Sequence, residues 1–283
     1  MENDVAGLSA GTLYVVSTPI GNMGDFSFRA VEVLKHVTTI LAEDTRHTRH
    51  LLDRYDIRTP MTAYHEHNEA SSTPRLVLRL ERGDDLALVT DAGTPLLSDP
   101  GARLVRAAVD AGLRVTPVPG ASALLAALVS SALHTDRFTF FGFLPRRGRE
   151  RDETIDELLE LRYTGVLYEA PARLVGTLAE LESRGAGERF GAVAREMTKQ
   201  FEEIRRGTVS ELRAYYEGKP PKGEVVVVLA GREPTKPSRT AVMERARVLR
   251  HSGASVKDTA AALAQELGVA RNEAYRIARE IDE

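Results

Sequence analysis

Along this chain, short apolar runs alternate with longer stretches in which apolar side chains recur at helical spacing. Leu13-Tyr14-Val15-Val16-Ser17 reads as a buried strand ending on the turn-forming Thr18-Pro19-Ile20-Gly21-Asn22. Residues 25–36 follow, with Phe28, Val31, Val33 and Leu34 at helical positions. Thr39-Ile40-Leu41-Ala42 is a second strand running into Glu43-Asp44-Thr45, and residues 46–55 have a helical pattern. A short strand is expected at 61–64, ending at His65-Glu66-His67-Asn68, then a helix over 72–82 closed by Gly83. The alternation continues with strand Leu86–Val89, helix 100–111, strand Arg114–Val118 and an apolar helix from Ser122 to residue 130.

Strands and helices in this rhythm predict an α/β fold with a doubly wound, mostly parallel sheet. The strands lack polar alternation, as expected where both faces are covered. Beyond about residue 137 the texture changes: aromatic Phe138–Phe143 is strand-like, and Pro145–Arg151 reads as a basic loop. A helix (152–162), a strand (164–168), a helix (172–183) and strands at 190–194, 203–207 and 224–230 predict a second α/β domain with a mixed sheet. Two prolines within 232–239 suggest a linker, and 240–283 reads as two or three helices. The expected domains are 11–135, 136–232 and a helical extension over 240–283, after a loose leader at 1–10.

Composition narrows the class. With 283 residues the chain can bury a substantial core, as one large domain or two ordinary ones. Hydrophobic residues at 42% and charged residues at 28% fit a soluble globular protein. Thirty-eight Lys and Arg against 41 Asp and Glu exclude a uniformly basic nucleic-acid coat protein, while leaving room for a local basic face. The absence of Cys removes disulfides, thiolate metal sites and cysteine nucleophiles, and suits a reducing cytoplasm. No apolar run approaches the roughly 20 residues of a membrane span, and the polar N-terminus has no signal-peptide pattern.

Candidate chemistry gathers just after the strands, the edge where open α/β sheets bind ligands. In Thr90-Asp91-Ala92-Gly93-Thr94-Pro95, small residues let a ligand approach the backbone and Asp91 can accept hydrogen bonds; the same Asp could simply cap a helix. Ser122 could cap the following helix or aim its amides at a carboxylate. Neither G-x-G-x-x-G nor a P-loop occurs, which lowers the case for a nicotinamide enzyme or an ATPase. Glu43–His50 puts acid, base and cation together, either as a solvated helix start or as a pocket wall whose Arg46 and Arg49 face phosphates. His65 and His67 would share a face of a strand, but a third metal ligand is not evident, so a loop lining a substrate cleft is preferred. Arg146, Arg147, Arg149 and Arg151 form either a solvated loop or a track for an RNA backbone. Residues 236–257 are basic, and a helix, a Gly-containing turn and a second helix over 255–276 resemble a helix-turn-helix.

Together the segments resemble one family, the bacterial ribosomal RNA small-subunit methyltransferases I of the tetrapyrrole methylase superfamily. The matching stretches are Gly11–Asn22, Ala42–Thr48, Tyr64–Glu69, Asp91–Pro95, Ser98–Gly101, Asp136–Phe138, Gly142–Arg146, Ala194–Lys199 and Gly223-Glu224, in order. Ser17, Met23 and Ala121 depart from the family's Pro, Leu and Pro, and Ala170 and Ala172 replace its Ser and His. The resemblance implies S-adenosylmethionine-dependent methylation of a cytidine ribose 2′-hydroxyl in 16S rRNA near the decoding centre, by a cytoplasmic homodimer needing no metal. It implies an active site in the cleft between two α/β domains. Thr18, Pro19, Asp91, Ala92, Gly93, Thr94, Ser122, Ala170 and Ala194 would line the cofactor site, and the C-terminal helices would help hold RNA. Such a transfer needs a donor and an acceptor held in line and a base for the hydroxyl proton. Asp44, His47, Glu66 and Lys199 are the candidates for that base, with the Glu43–His47 segment preferred. The rivals are a methylase of the same fold acting on a precorrin, and a non-enzymatic nucleic-acid-binding regulator.

Overall fold

The computed structural model describes residues 10–233 and 238–281, so the expected leader, all but residue 10, and Lys236 lie outside the described residues. The chain divides into two compact units, Met1–Arg232 and Glu233–Glu283.

The first unit opens with five strands, β1 (Thr12–Val16), β2 (Thr39–Ala42), β3 (Met61–Ala63), β4 (Leu86–Val89) and β5 (Arg114–Val118). They form one parallel sheet in the order β3-β2-β4-β1-β5, as the alternation predicts. Between them run α1 (Phe28–His36), α2 (Thr45–Arg54), α3 (Glu66–Glu81) and α4 (Ala102–Asp110), with α5 (Ala123–Ser130) after β5. β2 and β4 are buried along their whole length, and apolar clusters pack on both faces of the sheet. β5 is an edge strand and carries Pro117, a residue that cannot donate to a ladder and is confined to such edges.

Phe28 opens α1 as the spacing predicts but is 94% exposed, since the inward face of α1 is set by Ala30 and Leu34. One expectation needs correcting here. His65-Glu66-His67-Asn68 is neither strand nor loop: α3 begins at Glu66, and the Asn68 carboxamide oxygen accepts the His65 N–H at 2.9 Å. His65 and His67 meet edge to face at 5.9 Å, and among the described residues no three His, Asp or Glu side chains are grouped to hold a metal ion.

A mixed sheet follows, built from β6 (Phe138–Phe143), β7 (Thr164–Glu169), β8 (Phe190–Arg195), β9 (Glu203–Thr208) and β10 (Val225–Leu229) in the order β6-β7-β10-β8-β9. Only β6 and β7 run parallel; the other pairs are antiparallel. It is covered by α6 (Arg149–Glu160), α7 (Pro171–Leu181) and α8 (Val209–Gly218), the last unpredicted. α6 starts inside the expected basic loop. Arg151 is consequently not a solvated cation: it donates to Glu180, Thr177 and the Pro145 carbonyl, and its side chain is 12% exposed. α5 packs against this second sheet, its Leu124, Ala127 and Leu128 clustering with Val166, Ala192, Ala194, Val226 and Val228.

The second unit is three helices, α9 (Arg239–His251), α10 (Val256–Leu267) and α11 (Arg271–Glu280). Val242, Ala246, Leu263, Ala274 and Ile277 give it a core of its own. Gly268 closes α10 in the left-handed region (φ 65°), which produces the turn the sequence pattern indicates. Part of its basic charge is spent internally: Arg245 pairs with Glu266 and Arg239 with Glu280.

Candidate active site

Because the five strands of the first sheet are parallel, their carboxyl ends and following loops collect at one edge. Hydrogen bonds then bind these loops into one piece. The Thr18 N–H donates to the Gly93 carbonyl at 2.8 Å and Gly93 N–H donates back to Thr18 at 3.2 Å. The Thr18 hydroxyl donates to the Thr90 carbonyl at 3.1 Å. Ser17 and Thr94 share a hydroxyl hydrogen bond of 3.0 Å, and Thr94 reaches the Ala121 carbonyl. The loops after β1, β4 and β5 are thereby locked together. The loop after β2 joins through the Asp44 N–H, which donates to Asp91 Oδ1 at 3.1 Å, and through Thr90, whose hydroxyl donates to Glu43 at 2.8 Å. Gly93 sits at φ 84°, and a Cβ there would press on Ile20 at 3.3 Å, so only glycine suits this bend.

Against this rim lies a cavity of about 420 Å³. The first sheet contributes Ile20, the Thr90–Thr94 loop and Asp99; the second contributes Phe143, Tyr168, Ala170 and Glu224. Tyr168 packs edge to face on Phe140 at 4.9 Å, and burial pushes its phenol upward. Five carboxyl groups border the space, from Glu43, Asp91, Asp99, Glu169 and Glu224, and among the described residues no Lys or Arg does. Burial pushes Asp99 up to about 6, helped by the charges of Glu43 and Asp91; the Thr90 hydroxyl offsets part of this. Burial also raises Asp91, against the Asp44 amide that holds it down. Glu169 is fully committed: one oxygen accepts from the Ala170 N–H and Arg173, the other from Thr177 at 2.6 Å.

A smaller cavity of about 210 Å³ adjoins the first. Thr18, Pro19 and Met23 line it beside His47, His50 and Lys199. Lys199 comes from the loop after β8, where Glu196 and Thr198 both hold positive φ (51° and 67°), a conformation that concentrates at functional sites. Its aliphatic stem covers Gly21, and its ammonium bonds Glu196 at 3.0 Å and Glu224 at 3.1 Å.

These surroundings sort the sequence candidates. Asp91, Ala92, Gly93, Thr94 and Ala170 border the larger cavity; Thr18 and Pro19 border the smaller one. Ser122 caps α5 through the Leu125 N–H, and Ala194 is buried in the core, so neither lines either cavity. Among the base candidates, Asp44 caps α2 and pairs with Arg46, whose hydrogen bonds hold the carboxyl at about 2, a weak proton acceptor. Lys199 is shifted upward by its two carboxylates, against the desolvation that opposes them, and so remains a cation. Glu66 is exposed in the first turn of α3 and borders neither cavity; His47 borders the smaller one. Arg49, Arg146 and Arg147 are exposed, while Arg149 pairs with Glu153 along α6. The sequence pattern marks Glu43 only as part of the Glu43–His47 segment and does not single out Asp99, although Asp99 stands in the matched Ser98–Gly101 stretch.

The tetrapyrrole (corrin/porphyrin) methylase family model matches residues 12–213, and the chain belongs to that family. It is 44% identical over 275 residues to the ribosomal RNA small subunit methyltransferase I of Synechocystis sp., covering 96% of this chain and 99% of that protein. The Pseudomonas aeruginosa protein of the same name is 45% identical over 273 residues, covering 95% and 97%. Within the family the chain therefore falls in the ribosomal RNA small subunit methyltransferase I group. A solved structure described as uroporphyrin-III C-methyl transferase from Thermus thermophilus complexed with S-adenyl homocysteine is similar in fold. It is 18% identical, with TM-score 0.55 over 78% of this chain and 97% of that one.

Proposed function

We propose that this protein is an S-adenosylmethionine-dependent methyltransferase acting on 16S rRNA in the small ribosomal subunit, at the ribose 2′-hydroxyl of a cytidine near the decoding centre. The observation that carries the reading is the larger cavity, where Glu169 and Glu224 are paired with Arg173 and Lys199 while Glu43, Asp91 and Asp99 have no cationic partner among the described residues lining it. Such a site favours a ligand with positive charge, as on a sulfonium and an ammonium, because opposite charges attract most strongly away from bulk water. It disfavours a tetrapyrrole bearing several carboxylates. The glycine bend at Gly93 and the small Ala92 and Ala170 leave room for a ligand to lie against main chain. The sulfonium supplies an activated methyl group. The chain's task is to hold that group in line with an oxygen and to exclude water.

In this reading the first unit comprises two lobes meeting near residue 135, the donor lies between them, and the second unit adds RNA contacts through the exposed Asn272, Tyr275, Arg276 and Arg279 of α11. Arg46, Arg49, Arg146, Arg147 and Arg149 supply phosphate contacts. The protein works as a homodimer, for which the exposed Leu125 and Val129 of α5 offer an apolar face. Its place of action is the cytoplasm, in keeping with a ribosomal substrate; among the described residues no helix is long and apolar enough to cross a membrane. The test is calorimetric titration with S-adenosylmethionine, followed by methyl transfer to small ribosomal subunits and mass mapping of ribose-methylated nucleotides in cells with and without the protein. Saturable binding and loss of one ribose methylation are expected. Transfer to a precorrin instead, or no cofactor binding, would overturn the reading.

A further inference from the structure

The two cavities have a common wall made of Ile20, Thr90, Asp91, Ala92 and Glu224. Their remaining linings differ in kind. The larger is carboxylate-rich and, among the described residues, lined by no Lys or Arg, whereas the smaller sets Met23 and Leu51 against His47, His50 and Lys199. Apolar plates beside imidazoles and an ammonium match a flat base on a phosphate-bearing sugar, and they do not match a sulfonium. At about 210 Å³ the smaller space lies below the range of roughly 300–1,000 Å³ usual for a whole small-molecule ligand. It is sized for one unit of a chain whose remainder stays outside.

We propose that this smaller cavity is the acceptor subsite, that it receives a single nucleoside swung out of the RNA, and that Asp91 on the common wall takes the proton of its hydroxyl. The proposal rests on the methyltransferase reading. Enzymes that do chemistry on a base extrude it into such a pocket, and the same extrusion would bring a ribose hydroxyl to the common wall. Of the two carboxylates on the wall, Glu224 is bound to Lys199 at 3.1 Å. Asp91 is held by the Asp44 amide through one oxygen, so it keeps a fixed orientation with its other oxygen available to a substrate. Glu43, Asp44, Asp99 and His47 are the ionisable groups around it. In the step itself the hydroxyl oxygen forms a bond to the methyl carbon as the carbon–sulfur bond breaks. The electron pair of that bond stays on sulfur, giving a neutral thioether, and the O–H proton passes to Asp91 and then to solvent.

The test compares full-length wild-type protein with Met23→Ala, His50→Ala and Asp91→Asn, using small ribosomal subunits and S-adenosylmethionine. Met23→Ala and His50→Ala are expected to raise KM for the RNA by about tenfold while leaving cofactor Kd within about twofold. At saturating cofactor, Asp91→Asn is expected to lower kcat by about 100-fold or more. Retained cofactor binding also reports that the two cavity variants are folded, a wild-type thermal midpoint reports it for Asp91→Asn, and Met23→Leu should keep the wild-type KM. Unchanged RNA KM in both cavity variants, or cofactor Kd rising in step with it, overturns the subsite. An Asp91→Asn enzyme at wild-type kcat overturns the proton acceptor. Wild-type protein that binds cofactor yet methylates no ribosomal particle overturns the parent reading, and this proposal with it.

Discussion

Thr18 and Gly93 exchange main-chain hydrogen bonds, N–H to carbonyl in both directions, across the loops that follow β1 and β4. This two-residue antiparallel bridge, set between strands that are themselves parallel, fixes the height of the glycine bend above the larger cavity.

Gly93→Ala would force an L side chain into φ 84° and push its Cβ toward Ile20. The left-handed conformation alone costs about 1–2 kcal/mol. A lower thermal midpoint and weaker cofactor binding are expected together, from calorimetric scanning and titration. A variant as stable and as tightly binding as wild type would show that the bend is not constrained.

Glu169 is buried, and it ties the Ala170 N–H, Arg173 and Thr177 to the end of β7. Its removal leaves Arg173 and Thr177 without their common acceptor, and loss of one partner from a buried pair costs about 3–5 kcal/mol. Glu169→Ala should lower the thermal midpoint by several degrees, as read by circular dichroism. It should also weaken cofactor binding, because Ala170 borders the cavity.

Asp99 carries the pH signature. Its carboxyl rises from 3.8 to about 6 on folding, through burial first and then the charges of Glu43 and Asp91. The folded chain therefore binds more protons than the unfolded one between those values. Its contribution is fully present below 3.8 and is lost as pH rises through about 6. Asp99→Asn should raise the thermal midpoint at pH 8 and have a smaller effect at pH 5. Equal effects at both pH values would contradict this assignment.

The basic run at 146–151 should divide in two. Arg146 and Arg147 are exposed, so replacing both with Ala should weaken RNA binding and flatten its salt dependence by about two units of slope, with no loss of stability. Arg151, tied to Glu180, Thr177 and Pro145, should behave oppositely: Arg151→Ala should lower stability and leave the salt slope alone. Filter binding at several salt concentrations, beside thermal melts, separates the two.

That contrast illustrates how far the sequence was legible. Hydrophobic alternation was enough for the parallel sheet because β2 and β4 are buried throughout and their runs are uninterrupted. α3 was read six residues short because Ser71, Ser72 and Pro74 break its apolar spacing; the helix nevertheless passes through Pro74. α8 was overlooked although its start is signalled locally: Thr208 and Glu211 cap each other reciprocally. The strand-end motifs lie together at the rim of the two cavities, because the parallel strands bring their carboxyl ends to one edge. What they could not convey is pairing between residues far apart in sequence. Glu43 and Thr90 meet only because β2 and β4 are neighbours, and Lys199 reaches Gly21 across more than half the chain. Asp44 and Arg151 drew attention as charges, yet a charge used up in a helix cap or an internal ion pair looks the same in sequence as a free one.

Pro117, on the outermost strand of the parallel sheet, has a consequence for self-association. Any strand that sought to zip onto this margin would find one peptide nitrogen without a hydrogen to offer, so continuous cross-chain β-pairing is discouraged there. Two copies of the chain meeting along this margin would then recognise each other through side chains, a choosier contact than a shared backbone ladder.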